Sequence, residues 1–104
     1  MFNLFKKLFY GAGKTNYREL MMNGAIIVDV RTPGEFASGH IPKSINIPFD
    51  QLKNQLSYLS DKQKPIICCC ASGVRSGAAR RILALKGYKN VYNGGRWRSL
   101  KKQL

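Results

Sequence analysis

Apolar runs separated by polar, glycine-containing stretches recur along the chain and predict strands that alternate with helices. Two of these runs, residues 25–30 and 66–70, are almost continuously apolar and rich in β-branched residues, which is typical of buried strands in a parallel sheet. Shorter apolar segments at residues 44–47 and 90–92 predict two further strands. The pattern therefore predicts an α/β fold with an open, mainly parallel sheet and helices on both faces.

Helix signals fill the segments between the strands. Asn16 followed by Glu19, and Thr32 followed by Glu35, have the spacing of helix N-terminal capping pairs. Leucines at helical spacing predict one further helix over residues 50–59, and apolar periodicity predicts another after the strand at 66–70. Helices are predicted over residues 16–22, 33–38, 50–59, 76–86 and 97–103, with a turn at 93–95.

Residues 1–13 form a unit of their own, a predicted amphipathic helix followed by a linker, and residues 14–104 form the domain. Phenylalanine and leucine side chains share one arc of this helix, while Asn3, Lys6 and Lys7 lie opposite. Such a helix could cover an apolar patch of the domain, or it could bind a partner or an anionic membrane surface through residues 1–10. The lysines interrupt the apolar stretch and argue against a cleaved signal peptide.

The stretch around Cys70 combines a strand end, a short loop and the start of a helix. A loop over a helix N-terminus directs several backbone N–H groups at one point, where the helix dipole also favours negative charge. We expect the Cys70 sulfur at the mouth of this anion cradle and the Arg75 guanidinium closing the ring. Both features would lower the pKa of the thiol and produce a thiolate nucleophile.

The loop at residues 70–76, Cys-Ala-Ser-Gly-Val-Arg-Ser, resembles the active-site loop of single-domain rhodaneses, which are sulfurtransferases with a persulfide-carrying cysteine. Four further segments resemble the family, namely residues 29–36, 39–41, 46–48 and 93–97. The resemblance covers about residues 16–100 and implies the rhodanese-like fold. Lys43 and Ser44 stand where the family usually has a Gly-Ala pair, a departure that affects the local turn and not the chemistry.

The resemblance implies that Cys70 takes a sulfane sulfur from thiosulfate or a persulfide donor and passes it to a thiophilic acceptor, without a metal or an organic cofactor. The substrate-binding residues would be those of the loop: Ala71, Ser72, Gly73, Val74 and Arg75. Asp29 would support the site by hydrogen bonding to loop backbone. We expect His40, the only histidine, to be structural.

Five further arginines are expected on solvated faces, where some of them would line the entrance and steer an anionic donor. They are Arg31, which we place with Asp29 among the supporting residues, and Arg80, Arg81, Arg96 and Arg98.

Three contiguous cysteines precede the loop, and neighbours on a strand point to opposite faces. Cys68 and Cys69 are therefore expected in the core, with a resolving thiol as the alternative. Five residues separate Cys69 from Arg75, which is the spacing of cysteine-based phosphatases and arsenate reductases, whereas counting from Cys70 places Gly73 where sulfurtransferases have it. A non-enzymatic persulfide carrier or docking module would have the same sequence features, so both alternatives stay open.

Charge and cysteine content restrict the partners and the compartment. Eighteen Lys and Arg against five Asp and Glu give a net charge of +13, which attracts small anions or an acidic protein that carries or accepts sulfur. The single Trp between two arginines is a weak indication of RNA, and we expect neither a nucleic-acid partner nor an oligomer. Clustered cysteines without Cys-x-x-Cys spacing fit a reducing, cytoplasmic location better than a disulfide framework or a zinc site. No apolar run reaches the ~18 residues that a membrane span requires.

Overall fold

The computed structural model describes residues 15–104, and the helix and linker predicted for residues 1–13 lie outside this part of the chain. Within it, four strands form one sheet in the order β2-β1-β3-β4, and every neighbouring pair is parallel. The strands are β1 (Ile26–Asp29), β2 (Ile45–Asn46), β3 (Ile66–Cys70) and β4 (Val91–Arg96). The α-helices are α1 (Tyr17–Met22), α2 (Pro33–Ala37), α3 (Val74–Leu85) and α4 (Trp97–Lys101). The predicted open, parallel α/β sheet is confirmed.

Helices cover both faces of the sheet, because alternate residues of the central strands point to opposite sides. One apolar cluster joins Val28, Cys68 and Cys70 to Ala79 and Leu83 of α3. The other cluster contains Ile27, Ile67 and Cys69 from the strands, Leu20 from α1 and Leu100 from α4. Because β3 contributes to both clusters and is fully buried, its carboxyl end is held firmly in place.

The two predicted capping pairs are present. The Asn16 side chain accepts a hydrogen bond from the Glu19 N–H at 3.0 Å and starts α1. Thr32 and Glu35 form a reciprocal capping box at the start of α2, where Thr32 Oγ1 accepts from the Glu35 N–H and Glu35 accepts from the Thr32 N–H. Short-range polar signals therefore determine where both helices begin.

The prediction of one helix over residues 50–59 is wrong. This segment forms two 3₁₀ helices, Phe49–Asn54 and Leu56–Leu59, which are separated at Gln55. Leu52 and Leu59 are nonetheless buried, as their spacing predicted. A repeat of three to four residues fits both helix types, so the apolar spacing alone does not distinguish them.

The end of β4 also differs from the prediction, because residues 93–95 continue the strand instead of forming a turn. The register beside β3 shifts there: Asn93 pairs with Cys68, Gly95 with Cys69 and Arg96 with Cys70. Gly94 is the extra residue of this bulge, which is a common role for glycine in a strand. The bulge brings the Arg96 backbone alongside Cys70.

The departure at Lys43 has a structural consequence. Lys43 has a φ of 70°, the only positive φ of a non-glycine residue among residues 15–104. A side chain in this conformation is strained by contact between its Cβ and the backbone. A glycine at this position would remove that strain, so the turn at Lys43 carries a cost in stability.

Candidate active site

The loop between β3 and α3 wraps around the Cys70 sulfur. The Gly73 N–H donates to Cys70 Sγ at 3.0 Å, and the Ser76 N–H donates to it at 3.4 Å. Gly73 has a φ of 99°, which is readily available only to glycine and turns its N–H toward the sulfur. The predicted cradle of backbone N–H groups at the start of α3 is therefore formed around Cys70.

These hydrogen bonds determine the acidity of the thiol. Burial on its own raises the pKa of Cys70, but hydrogen bonds from the Ser76 hydroxyl and from the N–H groups of Ser76, Ser72 and Gly73 outweigh it. The net effect is a pKa below the ordinary value of a thiol, as a nucleophile requires. The sulfur lies deeper than expected, because Cys70 has no exposed surface and lies beneath the loop instead of at its mouth.

The other two cysteines have a different environment. Cys68 lies on the same side of the sheet as Cys70, and Cys69 lies on the opposite side, as the strand geometry predicts. Burial raises the pKa of Cys68 to about 12 and also raises that of Cys69. Both thiols therefore stay protonated and pack as small apolar side chains.

Ser76 and Asn93 form a polar network behind the nucleophile that the sequence did not reveal. Ser76 Oγ lies 3.4 Å from Cys70 Sγ and 2.7 Å from Asn93 Oδ1, so its one hydroxyl proton can be donated to the Cys70 thiolate or to the Asn93 oxygen. The Asn93 amide also accepts from the Gly95 N–H and donates to the Gly73 carbonyl. Asn93 thus links the β4 bulge to the loop around Cys70. The only sequence signals were the place of Ser76 in the loop motif and the place of Asn93 in the segment 93–97 that resembles the family.

Arg75 pairs with Glu35 of α2, a contact that the sequence did not predict. Its Nη1 and Nη2 donate to the two Glu35 carboxylate oxygens at 3.0 and 3.1 Å. The hydrogen bonds from Arg75 and from the Thr32 backbone lower the pKa of Glu35 to about 2. The hydrogen bond to Glu35 is the main cause of a raised pKa of Arg75, and the Cys70 sulfur adds a smaller electrostatic contribution. Arg75 is thus close to the nucleophile but already shares its charge with a carboxylate.

Asp29 and Arg31 form a buried ion pair, and the expectation that Arg31 lies on a solvated face is wrong. Arg31 Nη2 lies 2.7 Å from Asp29 Oδ2, and Arg31 retains 4% exposure. Arg31 also donates to the carbonyls of Glu35 and Gly39, which satisfies the donors of a buried guanidinium. Asp29 Oδ1 also accepts from the Arg31 backbone N–H at 3.0 Å, so Asp29 bonds to the backbone of the loop after β1 and not to residues 71–75.

The remaining loop residues lie at the protein surface. Ala71 and Ser72 are exposed, and Val74 is 76% exposed. Ser72 Oγ accepts from the Val74 N–H at 3.3 Å and thereby shapes the turn into α3.

His40, which we expect to be structural, stacks on Phe36, and its Nδ1 lies 2.8 Å from the Phe36 carbonyl oxygen. Residues 15–104 contain no group of three or more His, Cys, Asp or Glu side chains arranged to hold a metal ion. Across the same residues, no helix is both long and apolar enough to span a bilayer.

Comparison with known proteins agrees with the geometry. Thiosulfate sulfurtransferase GlpE from Ectopseudomonas mendocina is 37% identical over 76 residues, 73% of this chain and 69% of the relative. Thiosulfate:glutathione sulfurtransferase from Saccharomyces cerevisiae is 35% identical over 78 residues, 64% of this chain and 56% of the relative. The chain thus spans about half to two thirds of the length of such relatives.

Similar solved structures lead to the same family. A rhodanese from Escherichia coli, solved with anions, has a TM-score of 0.69 and 32% identity over 72% of this chain and 89% of that one. The family profile described as the rhodanese-like domain matches residues 14–95, which include the whole loop around Cys70. The chain therefore belongs to the rhodanese-like domain family.

Proposed function

We propose that this protein is a sulfurtransferase that accepts a sulfane sulfur from thiosulfate or a persulfide as a Cys70 persulfide and passes it to a thiophilic acceptor. The observation that carries the proposal is the Cys70 sulfur held by the Gly73 and Ser76 N–H groups with a lowered pKa. Membership of the rhodanese-like family and the sulfurtransferase names of two relatives support it.

The reaction has two displacement steps. In the first, the Cys70 thiolate attacks the outer sulfur of thiosulfate, the bond between its two sulfurs breaks, and sulfite leaves with the electron pair. In the second, an acceptor nucleophile attacks the outer sulfur of the Cys70 persulfide, and the Cys70 thiolate leaves. The backbone N–H groups stabilise the sulfur as a thiolate in the resting state and as the leaving group.

Access to the sulfur requires a local opening. Cys70 has no exposed surface, whereas Ala71 and Ser72 above it are exposed. We expect the donor to displace these loop residues and to compete with Glu35 for Arg75, which would then orient the anion. The half-exposed position of the Arg75–Glu35 pair favours such an exchange.

The position of Cys69 disfavours the phosphatase alternative. The phosphatase spacing, with five residues between the cysteine and Arg75, requires Cys69 as the nucleophile. Cys69, however, lies on the face of the sheet opposite to Cys70, and its pKa is raised. The loop N–H groups point instead at the cysteine one residue later. The geometry therefore favours sulfur chemistry at Cys70.

Intact mass before and after thiosulfate, and again after cyanide, tests the proposal. We expect a gain of one sulfur on the Cys70 peptide and its release as thiocyanate, with no gain in Cys70→Ala. Cys68→Ala and Cys69→Ala are the matched controls and should retain most of the loading. Release of phosphate from p-nitrophenyl phosphate without a sulfur adduct would overturn the proposal, and loading without catalytic turnover would indicate a carrier.

Localisation and partners follow from the same chemistry. A persulfide and three free cysteines fit a reducing compartment, and we propose the cytoplasm. The net charge of +13 fits an anionic donor and an acidic protein partner for sulfur delivery. We propose a monomer, in which residues 1–13 serve as a separate N-terminal segment.

A further inference from the structure

A pocket opens near the carboxyl end of the strand that carries Cys70. It has a volume of about 230 Å³ and is lined by Ala71, Arg96, Trp97 and Arg98. Ala71 directly follows Cys70, and Arg96 is the register partner of Cys70 on the adjacent strand. The pocket therefore adjoins the carboxyl end of β3, which carries Cys70, although Cys70 itself is not among its lining residues.

The pocket is positively charged and has an aromatic wall. Within residues 15–104, the arginines found in ion pairs are Arg31 and Arg75, so Arg96 and Arg98 have no carboxylate partner there. The Arg98 guanidinium lies 5.2 Å from the Trp97 ring centroid, and the buried Arg31 lies 4.6 Å from the same ring. The cation–π contacts and the Arg31–Asp29 pair fix the position of the indole, so this wall is preorganised.

We infer that this pocket binds the sulfur acceptor and that the acceptor is an organic thiol that carries carboxylates. The inference rests on the proposed function, because it assigns the second half of that reaction. Two unpaired guanidinium groups suit carboxylates, which they can bind bidentately. The volume corresponds to about eight water molecules at ~30 Å³ each, which is more than a compact thiosulfate ion requires and suits a short peptide.

The position also suits the chemistry. With its carboxylates on Arg96 and Arg98, the acceptor can place its thiolate over Ala71, toward the Cys70 persulfide. Its sulfur attacks the outer persulfide sulfur, the bond between that sulfur and Cys70 Sγ breaks, and the electron pair returns to Cys70. The acceptor leaves as a persulfide, so no oxidant or reductant is consumed.

Trp97 makes the binding step directly measurable, since it is the only tryptophan in the chain. S-methylglutathione keeps the carboxylates but cannot accept sulfur, and we expect it to change the Trp97 fluorescence saturably. The double variant R96Q/R98Q should raise the Kd about three- to tenfold, as expected for the loss of two partly exposed ion pairs. Exposed Arg80 and Arg81 on α3 supply the control, because R80Q/R81Q removes the same charge elsewhere. Equal Kd values in both double variants, or no saturable signal in the wild type, would overturn the inference.

Steady-state kinetics then separate the acceptor from the donor. We expect R96Q/R98Q to raise the KM for glutathione about three- to tenfold. The kcat/KM for glutathione should fall relative to the kcat/KM for cyanide, because cyanide has no carboxylate. A rise in the KM for thiosulfate instead would make the pocket a donor site and overturn the assignment. If the wild type binds S-methylglutathione but transfers no sulfur to either acceptor, the proposed function fails, and the pocket remains a carboxylate site without a role in sulfur transfer.

Discussion

Gly94 offers the clearest test of how the sheet supports the active site. A Cβ at this position would lie 2.8 Å from Ile67 Cγ2, 2.9 Å from Leu100 Cδ2 and 3.1 Å from the Cys68 carbonyl oxygen. Two of these contacts are shorter than real Cβ atoms tolerate, and all three partner residues are fully buried. In Gly94→Ala, β4 or its neighbours must therefore shift.

The expected cost follows from two opposing effects. Overpacking a buried site costs about 1–3 kcal/mol, whereas replacing glycine restricts the unfolded chain and returns about 0.4–1 kcal/mol. We expect a net loss of about 1–2 kcal/mol, which corresponds to a fall in Tm of roughly 4–16 °C for a domain of this size. Sulfur loading should also slow, because the adjacent Asn93 holds the Gly73 carbonyl and the Ser76 hydroxyl.

Urea and thermal unfolding followed by circular dichroism measure this effect, and Gly34→Ala is the matched control. An added Cβ at Gly34 meets no atom within 4 Å, so this variant should be unchanged or more stable by up to about 1 kcal/mol. A Gly94→Ala protein as stable as the wild type would refute the close approach of β4 to β3 at this bulge.

Three further predictions concern single residues. Lys43→Gly should stabilise the protein by about 0.5–1 kcal/mol in urea unfolding, because relief of the strained φ exceeds the greater freedom of glycine in the unfolded chain; an equal gain in Lys43→Ala, which keeps the Cβ, would contradict this reason. Ser76→Ala should raise the pKa of Cys70, so that alkylation by iodoacetamide requires a higher pH than in the wild type; an unchanged pH profile would remove the hydroxyl from thiolate stabilisation. The pKa of Glu35 is about 2, below the ordinary value of 4.5. The contribution of Glu35 to folding stability is therefore complete above pH 4.5 and is lost as the pH falls toward 2. An NMR titration midpoint near 4.5 would show that its pair with Arg75 is not maintained.

Local sequence patterns predicted most of the elements and the cradle of N–H groups around Cys70. The β-branched runs identified the two central strands, and the capping residues identified where α1 and α2 begin. The period of two along β3 separated Cys69 from its neighbours. All of these features depend on residues within a few positions of one another, which is the range over which spacing is informative.

The features that the sequence did not predict depend on contacts between distant parts of the chain. Glu35 and Arg75 are 40 positions apart, and Asn93 lies 17 positions from Ser76 and 20 from Gly73. Arg31 is buried because the Gly39 carbonyl and the Trp97 ring complete its surroundings, which the residue type alone does not indicate. Such contacts follow from how the elements pack and not from the pattern within any one of them.

The composition of β3 has a consequence for folding. Its sequence, Ile-Ile-Cys-Cys-Cys, is so uniform that a slip by one residue would keep the same residue type at three of its five positions. Side-chain type usually fixes the alignment of a buried strand. Here it discriminates weakly between the native pairing and a pairing shifted by one residue. The alignment must instead depend on what lies at the strand's ends, on the left-handed Gly73 and on the β4 bulge beside Cys68 and Cys69. Misaligned pairing of β3 is thus a specific hazard for this chain during refolding. In a strand shifted by one residue, a cysteine other than Cys70 would lie beneath the loop.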